Sequence, residues 1–143
     1  MSIGIMEQQK KFVVSVEKDS DGTYVAYNMD FSDYTLLGRG DTVAEAKADF
    51  CNSMEEVTGL ISSEGREIPE EFVAPPVFKF DLSSLFEYYS MINVSAFARY
   101  VGINAALMRQ YRQGNTYVSD RQLKKIEDAI HRLGSELSSL TLI

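Results

Sequence analysis

The sequence predicts an α+β protein built in two parts, a small sheet with one helix on its face and then a wholly helical domain. Three observations carry this. Strand-like runs rich in valine and tyrosine are confined to residues 11–81, and after them apolar residues recur only at helical steps. Charge divides at the same place: residues 1–81 hold 7 Lys and Arg against 16 Asp and Glu, whereas residues 82–143 hold 7 against 5. Residues 94–113, VSAFARYVGINAALMRQYRQ, match the template of two helices packed steeply across a short turn. These place one domain over residues 1–82 and a second over 83–143.

In the first domain, residues 11–17 (KFVVSVE) and 23–30 (TYVAYNMD) read as strands, and the KDSDG between them carries an Asp-Gly hairpin signal. A third strand is expected over 34–39. Thr42 and Glu45 form a T-x-x-E capping box that opens a helix. Along that helix Val43, Ala46, Phe50, Met54, Val57 and Ile61 recur at steps of three and four, one apolar face turned to the sheet. Residues 62–76 are polar and acidic and end in Pro75-Pro76, a connector that cannot be helical throughout. Residues 77–81 alternate as a fourth strand, completing a β-β-β-α-β unit.

Helical signals then take over. Ser84 and Glu87 suggest a second capping box for a helix reaching about Met91. In the helix-turn-helix template, Ala98 supplies the small side chain where the helices cross, and Gly102 the residue free of Cβ strain at the turn. Phe97, Val101, Ile103, Met108 and Tyr111 fall at inward positions, and Asn104 is a good N-cap for the second helix. The other reading of this segment is a helical hairpin that only builds a core. Gly114-Asn115 ends the second helix, and Ser119 with Gln122 caps the next. There Leu123, Ile126, Ile130, Leu133, Leu137 and Leu140 alternate steps of three and four, the spacing of a coiled-coil seam. This last helix either closes its own domain or also pairs two chains, with Gly134 weighing against the second.

The template leaves Asn104, Ala105, Ala106, Arg109 and Gln110 as candidates to read base edges in double-stranded DNA. The overall charge of −7 argues against a chain coated in basic groups. A local patch suffices, because counterion release depends on the contacts actually made. Arg99, Arg112, Arg121, Lys124 and Lys125 are the candidate phosphate contacts. The acidic first domain should repel DNA and so calls for a different, basic partner.

Other chemistry is scarce. Cys51, the single cysteine, rules out an internal disulfide and reads as a small buried hydrophobe, and His131 has no second His or Cys nearby. No zinc site, serine triad or Cys-His dyad can be assembled, and no cofactor is expected. Glu17, Asp19, Asp21 and Gly22 match part of a calcium loop, but Asn28 stands where a glutamate is required and strands flank it. Asp30, Asp33, Asp41, Asp49, Glu55 and Glu56 scatter over loops and an outward helix side, so no catalytic site is expected. Gly38-Arg39-Gly40 lacks the length and ending of a phosphate loop. The first residues are too weakly apolar for a signal peptide and no run could span a bilayer, so a cytoplasmic location is expected.

Asp21-Gly22-Thr23-Tyr24 and Gly40-Asp41-Thr42-Val43-Ala44-Glu45-Ala46, in this order of elements, resemble the HicB family of antitoxins over residues 11 to about 82. The resemblance implies a truncated ribonuclease-H-like first domain that binds and masks a small, basic HicA-type ribonuclease toxin. It also implies a C-terminal domain that represses the operon, and the long acidic segment 62–76 departs from the compact family pattern. A homodimer or higher homo-oligomer is expected on this reading. The competing functions are a ribonuclease-H-like nuclease guided by its helix-turn-helix and a regulator whose first domain senses a ligand.

Overall fold

The computed structural model describes residues 12–28 and 34–143, and the chain forms two compact units, Met1–Tyr88 and Tyr89–Ile143. The protein is α+β, with a four-stranded mixed sheet and five α-helices among the described residues. The first unit contains β1 (Val13–Lys18), β2 (Tyr24–Asn28), β3 (Leu37–Gly40), α1 (Val43–Ser63), a 3₁₀ turn (Glu70–Phe72), β4 (Val77–Phe80) and α2 (Leu82–Tyr88). Lys11, Asp30 and the end of the expected second strand lie outside the described residues.

The sheet order is β3-β2-β1-β4. β1, β2 and β3 pair antiparallel, while β4 lies parallel to β1 because the chain returns through α1 as a crossover. The β1–β2 hairpin closes through Asp19 N–H to the Thr23 carbonyl at 2.7 Å, and Gly22 takes φ +89°. Asp21 Oδ1 accepts from both the Thr23 hydroxyl (2.6 Å) and its N–H (2.9 Å), which holds the carboxyl below its ordinary range. The Asp21 carboxylate therefore builds the turn.

α1 opens as its sequence suggests, with the Thr42 hydroxyl accepting from Glu45 N–H at 3.1 Å, but the Glu45 carboxylate reaches Asp41 N–H at 2.8 Å. Val43, Ala46, Phe50 and Ile61 are buried along it, and Met54 and Val57 pack partly against the same core. The helix crosses directly over β3. A Cβ on Gly38 would strike the Ala46 carbonyl and the Phe50 backbone, so only glycine permits this approach. Asp49 then accepts from Arg39 N–H at 2.8 Å, and Ser53 donates to the Leu37 carbonyl at 3.3 Å, sealing the outer edge of β3.

Two expectations need correction. Ser84 does not cap α2: the helix begins at Leu82, and Asp81 accepts from Ser84 N–H at 2.8 Å. Ser84 is buried with no hydrogen-bond partner for its hydroxyl, and Glu87 instead accepts from Val43 N–H of α1 at 3.0 Å. With Leu82 and Phe86 buried, α2 packs on β1, β4 and α1. α2 therefore belongs to the first unit, Met1–Tyr88. The acidic connector also contributes more than a link, because Phe72 is buried with its ring 5.4 Å from Phe12 and 5.9 Å from Tyr34.

The second unit contains α3 (Val94–Val101), α4 (Ala105–Gln113) and α5 (Asp120–Ser138). Val94, Phe97, Ala98, Val101, Ile103, Met108, Tyr111, Ile126 and Ala129 are buried. Their spacing puts one apolar face on each helix.

Candidate nucleic-acid interface

The α3–α4 connection is built from local capping. Asn93 starts α3 by accepting from Ala96 N–H at 2.9 Å. Gly102 ends it at φ +87°, a left-handed conformation in which its N–H reaches the Ala98 carbonyl at 2.9 Å. Ile103 N–H shares that carbonyl at 2.9 Å. Asn104 Oδ1 then accepts from Ala106 N–H (2.8 Å) and Leu107 N–H (3.3 Å), starting α4 after a three-residue connection, residues 102–104. Ala98 is fully buried beneath this turn.

This arrangement sets the exposed face of α4. Asn104, Ala106, Arg109 and Gln110 are exposed and Ala105 is half-buried. Asn104 uses its side-chain oxygen as the helix cap, which leaves only its amide NH₂ to offer outward. Arg109 Nη1 donates to Ser95 Oγ of α3 at 2.9 Å, and Gln110 Oε1 accepts from the Thr116 hydroxyl at 3.3 Å. Both side chains thus keep donors free of these bonds.

The five basic candidates are all exposed but differ in their surroundings. Arg99 lies in the last turn of α3 and Arg112 in the last turn of α4, where cations complement the helix dipole. Arg121 stands in the first turn of α5. Lys124 pairs with Asp128 one turn later at 2.8 Å, and this hydrogen bond holds its ammonium above the usual lysine range. Lys125 donates to the Gly102 carbonyl at 3.1 Å and so serves the α3 terminus directly.

Two features had no signal in the sequence. Tyr100 of α3 lies under the Arg132 guanidinium (4.7 Å to the ring) and donates to Glu136 at 3.3 Å, fastening α3 to α5. Ser95, beside Arg109, is the other. Each contact joins residues far apart in sequence, so only packing brings them together.

The seam residues of α5 divide. Ile126 is buried, Ile130 and Leu133 are half-buried, and Leu123, Leu137 and Leu140 are 41%, 57% and 64% exposed. The apolar stripe therefore continues beyond what the second unit covers.

In the first unit the carboxylates are dispersed. Glu55 and Glu56 are exposed on α1, Asp49 is bonded to β3, and Asp30 and Asp33 lie outside the described residues. Asp19 is held below its ordinary range by the Ser20 N–H and the Arg39 guanidinium. Among the described residues no three His, Cys, Asp or Glu side chains converge to hold a metal ion. No described helix is long and apolar enough to cross a membrane.

No family model matches the chain, and neither a curated protein nor a solved structure does. The functional reading therefore rests on the residues themselves.

Proposed function

We propose that this protein is a HicB-type antitoxin that neutralises a small, basic HicA-type toxin through its first unit and represses its own operon through its second. One observation carries the proposal: α4 follows α3 across a left-handed glycine turn with Arg109 and Gln110 exposed in its middle. On this reading α3 and α4 are a helix-turn-helix, and α4 enters the major groove of a two-fold operator as part of a homodimer. Arg109 and Gln110 carry donors suited to guanine and adenine edges. Arg99, Arg112, Arg121, Lys124 and Lys125 face phosphates, and the protein works in the cytoplasm. The β-β-β-α-β order of the first unit fits a truncated ribonuclease-H-like domain, and its 16 Asp and Glu over residues 1–81 suit a basic partner.

The experiment is a salt titration of binding to duplex DNA from immediately upstream of the gene. Arg109→Ala should relax preference at one base position by about 1–3 kcal/mol while keeping most of the salt slope. Lys124→Ala should weaken binding uniformly and flatten the slope by about one unit. If the intact protein recognises a site and neither change alters binding to it, the helix pair is a packing element. Binding of a small basic protein encoded beside the gene, measured by calorimetry, tests the antitoxin half; no binding there removes it.

A further inference from the structure

We infer that Ser95 is a positioning residue for Arg109, holding its guanidinium in the orientation that reads a base. The inference rests on α4 being the base-reading helix and adds to that reading a residue on the preceding helix. Ser95 Oγ accepts from Arg109 Nη1 at 2.9 Å, across 14 residues of sequence. The bond engages only one corner of the guanidinium. Nε and Nη2, the two parallel donors that match guanine O6 and N7, stay outside it.

Position explains why a serine is suited to this. Ser95 is half-buried in the first turn of α3, with Asn93 already capping the helix through Ala96 N–H. The Ser95 hydroxyl is therefore not needed as a cap, and by helix propensity alanine would serve α3 better. What the hydroxyl adds is an acceptor aimed at an exposed, flexible arginine. A long side chain loses much rotational freedom when it binds, and holding it beforehand reduces that loss. Gln110 has a weaker counterpart in Thr116, at 3.3 Å.

The test uses the full chain, duplex DNA from upstream of its gene, and duplexes changed one base pair at a time. Ser95→Ala should weaken binding to the preferred duplex by about fivefold, the order of one lost hydrogen bond. The loss should be smaller on the duplex altered at Arg109's base pair, so preference there narrows while the salt slope is unchanged. Ser95→Thr, which keeps the hydroxyl, should restore the preference. An equal loss on every duplex would make the bond a mere staple between α3 and α4 and overturn the inference. So would a Thr variant that behaves like Ala, or no effect of Ser95→Ala in a protein whose Arg109→Ala variant relaxes preference. If Arg109→Ala itself leaves every preference intact, the base-reading assignment fails first, and the two failures are told apart by that variant.

Discussion

Lys125 of α5 donates its Nζ proton to the carbonyl of Gly102, the residue that ends α3, at 3.1 Å. A cation placed at a helix C-terminus satisfies an orphan carbonyl and complements the dipole. The lysine stem runs close enough that a Cβ on Gly102 would meet its last carbon at 3.8 Å. Lys125 is thus part of the joint between α3 and α5 as well as a candidate phosphate contact. Lys125→Met, which keeps most of the stem, should lower the stability of the second unit by about 0.5–1 kcal/mol. Urea unfolding followed on the full chain should show this; an unchanged midpoint would mean that the contact contributes nothing.

The close approach of α1 to β3 in the first unit gives a sharper expectation. Gly38→Ala would drive a Cβ into the backbone of α1 at Ala46 and Phe50. Because backbone cannot rotate away, the change should cost about 1–3 kcal/mol or more, as overpacking does. Gly59→Ala is the matched control, since a Cβ there meets nothing within 4 Å. In an exposed helix interior it should stabilise by about 0.5–1 kcal/mol. Opposite signs in paired unfolding curves are the expected result, and equal effects would place α1 farther from β3.

The α5 stripe bears on the proposed homodimer. Leu137 is 57% exposed, so replacing it should leave the folded unit within about ±0.5 kcal/mol of its original stability. If the stripe pairs two chains, Leu137→Lys should shift the protein toward monomer in sedimentation and weaken operator binding by about tenfold or more. A dimer that survives the change would move the seam elsewhere.

Much of this protein was legible in its sequence because its signals are local. The alternation in β1 and β2, the Asp21-Gly22 turn and the α1 stripe from Val43 to Ile61 depend only on neighbours a few residues away. The same holds for the caps: Thr42, Asn104 and Ser119 each accept from N–H groups two or three residues on, and Gly102 takes its left-handed turn where the pattern requires one. Such bonds close inside a short segment, so residue type and spacing suffice to place them.

Only the tertiary structure decided the long-range partners. Sequence spacing made Ser84 and Glu87 a capping pair, but burying Leu82 and Phe86 starts α2 earlier, leaving Ser84 inside and Glu87 free to cap α1, 44 residues away. Gly38-Arg39-Gly40 carries no local sign that a helix will cross it. Phe72, in a stretch that reads as a solvated connector, is drawn into the core by Phe12 and Tyr34. At the candidate interface, sequence alone nominated Arg109 and Lys125, yet their partners Ser95 and Gly102 became visible only once α3 had packed against α4 and α5. The reason is common to all of these: a hydrogen bond or packed ring between distant residues is selected by where apolar faces bring the backbone together, and that geometry has no period in the sequence.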